Sequence, residues 1–151
     1  HPIRLRQMVH QLLDNAVKFT PAEGTLHISL DKQGDFLVLR VSDSGIGIPA
    51  EDQPHVFERF YRARNVIEDY EGAGLGLSLV KSIVDGHNGR VWVESQSGVG
   101  TTVTIMFPAL VVFQVFAGLD LAPPPFIIHV PLRRLTERHF ERMLRPPAQR
   151  P

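Results

Sequence analysis

The chain contains no cysteine. A disulfide framework, a thiolate metal site and a cysteine nucleophile are therefore excluded. It also lacks any apolar run of the roughly 18 residues that a membrane-spanning helix needs. The opening stretch HPIRLRQMVHQLLDN has no uninterrupted apolar centre of the kind a signal peptide carries. There is no excess of charge either: 16 basic and 16 acidic side chains balance to zero, against what a general nucleic-acid binder requires. What remains is a chain of 151 residues, 43% hydrophobic, long enough to bury a core without metal or disulfide staples. A soluble, cytoplasmic domain is expected, attached to a membrane only through parts outside this sequence.

The balanced charge hides two unlike sections. Residues 1–108 carry 10 Lys/Arg against 13 Asp/Glu, and residues 109–151 carry six arginines against three acidic residues. Eleven of the 12 glycines precede residue 109, whereas seven of the 12 prolines follow it. The expected division is a domain over 1–108 and a Pro/Arg-rich tail over 109–151.

Within the first section, Leu5, Met8, Val9, Leu12, Leu13, Ala16 and Val17 recur at helical spacing, predicting an amphipathic helix over 3–19 that Thr20-Pro21 closes. TLHISL (25–30) alternates like a half-buried strand, and FLVLRV (36–41) is apolar enough for a central one. A glycine-rich loop over 43–49, a short helix near 51–59 and an aperiodic, mobile segment over 61–73 follow. A second helix runs from Leu75–Leu77 to Asn88-Gly89, and strands are expected at 90–95 and 101–107. This order predicts an α/β (α+β) two-layer sandwich, its sheet mixed but mainly antiparallel, with helices on one face.

Three constellations carry chemistry. At 100° per residue, Gln11, Asn15 and Lys18 share an arc of about 60° on the first helix. Asn15 offers a neutral oxygen to a hard cation such as Mg²⁺, and Lys18 a point charge to phosphates; a solvated helix face would look the same. In Asp43-Ser44-Gly45-Ile46-Gly47-Ile48-Pro49 the glycines admit a flat ligand, and a carboxylate at a strand end can accept from an exocyclic amine such as adenine's. An ordinary glycine-rich turn remains the alternative. In Glu71-Gly72-Ala73-Gly74-Leu75-Gly76-Leu77, glycines open a helix whose N-terminal N–H groups suit a polyphosphate. This is neither a Walker A loop nor a Rossmann fingerprint, since no GKS/GKT follows and no strand feeds it.

Taken in order, QLLDNAVKFTP, DSGIGIP, VFERFYRAR, GAGLGLSLVKSIVDGHNG and SGVGTTVTIMFP resemble the ATP-binding catalytic domain of sensor histidine kinases over residues 3–108. That domain belongs to a superfamily shared with type II topoisomerases, Hsp90-type chaperones, mismatch-repair ATPases and anti-sigma serine kinases. The resemblance implies that Asn15 ligands Mg²⁺, that Lys18 touches phosphate and that Arg62 is a candidate γ-phosphate contact. It implies that Asp43 holds the adenine amine, with Gly45, Gly47 and Ile48 shaping the base pocket and Thr101 supporting it. Phe57 and Phe60 would dock a mobile ATP lid, which Gly72, Gly74, Leu75, Gly76 and Leu77 hinge against the phosphates. ATP and Mg²⁺ are the implied cofactors, and the γ-phosphoryl group would pass to a histidine on a separate dimerisation and phosphoacceptor domain, and from there to a response regulator. A non-catalytic nucleotide-binding module and an anti-sigma-type serine kinase are the alternative readings.

Gln11 bears on which chemistry follows. ATP-hydrolysing members of the superfamily carry a glutamate one turn before the metal-binding asparagine; an amide cannot act as a general base near neutral pH. None of the seven histidines stands before an acidic residue on a helix as a phosphoacceptor would, so autophosphorylation of this chain alone is not expected. His87, on the inner face of the second helix, reads as a packed histidine. The family enters its first helix from a strand that is missing before His1, which reads as a truncated front. LVVFQVF (110–116) is a candidate to replace it, FIIHV (126–130) is a further candidate strand, and PLRRLTERHFERMLR (131–145) has the periodicity of a basic amphipathic helix.

Overall fold

A computed structural model of the chain describes residues 2–63, 76–108 and 126–131. Helix α1 spans Pro2–Lys18. Leu5, Met8, Val9, Leu12, Leu13 and Ala16 are buried along one side, as their spacing predicts. Val17, assigned to the same stripe, stands 38% exposed at its margin. The helix stops where Thr20 turns its hydroxyl back to donate to the Ala16 carbonyl at 2.6 Å, and Pro21 has no N–H with which to continue.

Strands β1 (Thr25–Gln33) and β2 (Phe36–Asp43) form a hairpin. Helix α2 (Gly76–Gly86) precedes β3 (Arg90–Gln96) and β4 (Gly100–Pro108). The order across the sheet is β3-β4-β2-β1, and a fifth strand, β5 (Phe126–Pro131), lies outside β1. FLVLRV is thus central, as its composition predicts. All described pairings are antiparallel, so the parallel component of the expected mixed sheet is not among them.

Both helices lie on one face. Leu26, Ile28 and Leu30 of β1, Leu37, Leu39 and Val41 of β2, and Ile105 and Phe107 of β4 form one core with the apolar stripe of α1 and with Val80, Ile83 and Val84 of α2. This is the two-layer α/β sandwich. Helix α2 ends in a left-handed residue, Asn88 (φ 57°), with the Gly89 N–H donating to the Val84 carbonyl at 2.9 Å. His87 is half-buried, its Nδ1 donating to the Ile83 carbonyl at 2.7 Å and its ring edge-on to Phe107. That is the packed histidine expected.

One expectation needs correction. The helix expected near 51–59 is only a 3-10 turn over Gln53–His55. Successive i→i+3 bonds (His55 to Asp52, Glu58 to His55, Tyr61 to Glu58) wind this segment too tightly for an α-helix. Tyr61 also reaches back to donate its hydroxyl to the buried Asp52 carboxylate. The further strand expected at 126–130 is present as β5, paired with β1 from Thr25↔Pro131 to Leu30↔Phe126. Residues 110–116 lie outside the described residues, as does the stretch expected to be helical beyond Pro131, which itself ends β5.

Candidate functional site

The helices do not close over the whole inner face. A cavity of about 800 Å³ opens between α1, the N-terminal end of α2 and the ends of β2 and β4. Its base is set by register: Asp43, the last residue of β2, lies opposite Thr101 of β4. The Gly45 N–H donates to Asp43 Oδ1 at 2.9 Å, and the Thr101 N–H also bonds to the carboxylate. Burial pushes the Asp43 carboxyl above the ordinary carboxylate range, because desolvation outweighs those two donors.

The loop after β2 is held at both ends. The Ile46 N–H donates to the Phe19 carbonyl at the end of α1 (3.0 Å), and the Gly98 N–H donates to the Ile46 carbonyl (2.7 Å). Ile48 donates to Ser95 Oγ at 2.8 Å, and that hydroxyl in turn donates to the Gly100 carbonyl at 2.8 Å. Gln53 Nε2 donates to both the Ile48 and Ser95 carbonyls, at 3.0 and 2.8 Å. The Asp43 end of the cavity is therefore a braced scaffold. The sequence reading missed Ser95 and Gln53, which act through contacts more than 40 residues apart in the chain and leave no local signature.

The opposite wall is α1. Gln11, Asn15 and Lys18 all line the cavity, joined by Asp14. The N-terminus of α2 abuts them so closely that a Cβ on Gly76 would stand 3.0 Å from Gln11 Oε1 and 3.6 Å from Asn15 Oδ1. Asn15 and the first N–H groups of α2 thus face one space, a neutral oxygen beside the positive end of a helix dipole. Asp43, Gly47, Ile48, Arg62, Gly76, Leu77 and Thr101 line the same cavity, so the three sequence constellations meet. Val41, Ile46, Val56, Ala63 and Val103 supply its apolar walls. Gly45 acts from beneath through its bond to Asp43. Phe60 is not brought in: its left-handed backbone (φ 64°) leaves the ring 69% exposed. Phe57 is half-buried beside the cavity without lining it. Gly72, Gly74 and Leu75 lie outside the described residues.

Among the described residues no cluster of three or more His, Asp or Glu side chains could hold a metal. Asn15 Oδ1 would offer a metal here a neutral protein oxygen, with a phosphorylated ligand and water left to fill much of the shell, which suits Mg²⁺. No described helix is long and apolar enough to cross a membrane.

Comparison with known proteins agrees with this geometry. The sequence model of the histidine kinase-, DNA gyrase B-, and HSP90-like ATPases matches residues 1–111. The circadian input-output histidine kinase CikA of Synechococcus elongatus is 39% identical over 131 residues, 86% of this chain and 17% of that protein. The sensor histidine kinase WalK of Bacillus subtilis is 37% identical over 108 residues, 70% of this chain and 18% of that protein. The chain thus spans under a fifth of each relative. Among solved structures, a mycobacterial sensor histidine kinase, MprB, superposes with a TM-score of 0.62 at 34% identity, covering 68% of this chain and 70% of that one. Full-length ShkA in complex with AMPPNP gives 0.58 at 32% identity, over 70% of this chain and 21% of that one.

Proposed function

The chain belongs to the histidine kinase-, DNA gyrase B- and HSP90-like ATPase family, and from that premise we propose that it binds Mg-ATP in the cavity and donates the γ-phosphoryl group to a histidine of a separate dimerisation and phosphoacceptor domain. The observation that carries this reading is the opposition of Asp43, a carboxylate acceptor at the apolar end, to Asn15, Lys18 and the α2 N-terminus at the polar end. An adenine amine fits the first and a triphosphate the second.

In this reading Asp43 fixes the base while Ile46, Ile48 and Val103 flank it. Lys18, Arg62 and the N–H groups opening α2 hold the phosphates. Asn15 would hold Mg²⁺, which when bound offsets the charge of the phosphate oxygens. The imidazole nitrogen of the partner's histidine attacks the γ-phosphorus, the bond to the bridging β–γ oxygen breaks, and ADP leaves with that oxygen's electron pair. A domain boundary near Pro108 belongs to the same proposal.

The test is to incubate the chain with γ-labelled ATP and the phosphoacceptor hairpin of a related kinase. Label on the hairpin that is lost in acid supports the reading. Acid-stable label on serine, or ATP binding with no transfer, would replace it with a serine kinase or a regulatory nucleotide module. Asn15→Ala is expected to remove the Mg²⁺ dependence of ATP binding in calorimetric titrations while leaving Mg²⁺-free binding nearly unchanged. An equal loss with and without Mg²⁺ would contradict the assignment of Asn15.

Gln11 lines the cavity one turn from Asn15, where a carboxylate would be placed to take a proton from water. Gln11→Glu is accordingly expected to raise ATP hydrolysis roughly a hundredfold, at the low end of what a positioned general base contributes. Phosphate release at saturating ATP measures it, and an unchanged rate removes Gln11 as the residue that spares ATP from water.

A further inference from the structure

The Ser95 hydroxyl has a single proton, and its neighbours decide where that proton lies. The oxygen stands 2.8 Å from the Gly100 carbonyl, which can only accept, and 2.8 Å from the Ile48 N–H, which can only donate. The Ser95 proton therefore lies on Gly100, and one lone pair takes the Ile48 proton. A third contact, to Thr101 Oγ1, is also 2.8 Å long. No proton of Ser95 remains for it, so Thr101 is the donor. The one proton of the Thr101 hydroxyl is thereby held on Ser95, and only lone pairs are left for any other neighbour.

Strand register carries this constraint to the cavity. Thr101 stands between Asp43 of β2 and Ser95 of β3, paired with each. Asp43 and Thr101 line the cavity, whereas Ser95 does not. A threonine hydroxyl free to rotate serves either kind of partner, accepting from an amine or donating to a carbonyl. Beside an ionised Asp43, which only accepts, a freely turning Thr101 would still offer a proton to a keto base. Resting on the reading of the cavity as an ATP site, we propose that Ser95 determines base specificity by holding Thr101 as an obligate acceptor. The base end of the cavity then meets an exocyclic amine with acceptors and sets lone pairs against a keto oxygen. Rejection of this kind rests on a polar group left unpaired at the wrong base. Ser95 is a positioning residue in this scheme and acts on the base only through Thr101.

The test is calorimetric titration of the full chain with Mg-ATP and with Mg-ITP, whose base carries a keto oxygen in place of the adenine amine. Ser95→Ala frees the Thr101 hydroxyl to donate. The preference for ATP over ITP is then expected to narrow roughly three- to tenfold, the value of one neutral hydrogen bond, with ITP gaining in absolute affinity. Ser95→Thr keeps a hydroxyl and should restore the preference of the parent. Thr101→Val should narrow the ratio by a similar factor, and adding Ser95→Ala to it should move the ratio no further. An equal loss of ATP and ITP in Ser95→Ala would make Ser95 a brace for the loop after β2 and overturn the proposal. Narrowing that persists in the Thr101→Val background would overturn it too. Thr101→Val alone decides the matter if Ser95→Ala does not fold, since an unchanged ratio removes Thr101 as the discriminating group. A folded parent that binds neither nucleotide overturns the reading of the cavity and this inference with it. A parent that binds ATP while the variants leave the ratio unmoved removes the inference and spares the reading.

Discussion

Asp43→Asn is expected to weaken ATP binding by roughly ten- to a hundredfold, the value of a hydrogen bond to a charged group, while making the empty chain more stable. The two effects share a cause. The Asp43 carboxyl is held by Gly45 and Thr101 yet buried enough that its proton affinity rises. A carboxyl whose folded pKa is raised contributes stability below its unfolded pKa and loses it as pH rises through the folded pKa. Near neutrality the ionised group is therefore a net cost to the empty fold, which its proposed role as the acceptor for adenine's amine would explain. Asparagine removes the charge, and its amide oxygen can keep the bond from Gly45, but it turns an N–H₂ toward the amine of the base. Thermal melts should show the variant ahead of the parent at neutral pH, with the gap closing as pH falls and Asp43 takes up its proton. Binding should follow the opposite slope. Because the amine favours the ionised carboxylate, ATP affinity in the parent should climb with pH through the titration of Asp43 and then level off. Asp43→Asn should show no such slope. A variant that binds as the parent does would move the base-recognising role away from Asp43.

How much of this was readable beforehand depends on the distance over which each feature is set. The α1 stripe is local, and six of its seven assigned residues are buried. The alternation of TLHISL buries Leu26, Ile28 and Leu30 and exposes His27. Pairings are not local. That Asp43 meets Thr101, or that β5 closes the sheet beside β1, is decided by register between distant segments, and periodicity names an element without naming its neighbour. The failures near 51–60 are of the same kind. An acidic-to-aromatic stretch scores as helix, but Asp52 is buried and bonded by Tyr61 nine residues on. That tie favours consecutive tight turns and ends in the left-handed Phe60. The candidate site was legible for a different reason: its polar residues stand at helix and strand ends, where sequence signals for caps and turns are strongest.

Gly47→Ala is expected to destabilise the fold by roughly 3 kcal/mol or more, combining left-handed strain with overpacking, and to abolish ATP binding with it. Gly47 has φ 70°, and a Cβ there would stand 2.1 Å from the Gln96 carbonyl oxygen and 2.7 Å from its carbon. Both are backbone atoms of Gln96, the last residue of β3, where the Gln53–Ser95 and Gly98–Ile46 bonds hold the chain in place, so no side chain can swing aside. The loop must move, and it carries Ile46 and Ile48, which line the cavity, together with Gly45, which holds Asp43. Gly34 supplies the control. It has nearly the same backbone angle, φ 58°, with nothing within 4 Å of an added Cβ. Gly34→Ala should therefore show the conformational cost alone, about 1–2 kcal/mol, with ATP binding intact. Urea unfolding of the two variants separates strain from collision, and calorimetry separates both from recognition. Equal destabilisation would mean that the end of β3 yields, and that the loop after β2 is not braced against it. A large difference with binding lost only in Gly47→Ala would tie the shape of the pocket to the close approach of two backbones. Asp43→Asn cannot mimic that result, because it loses ATP from a fold that has become more stable.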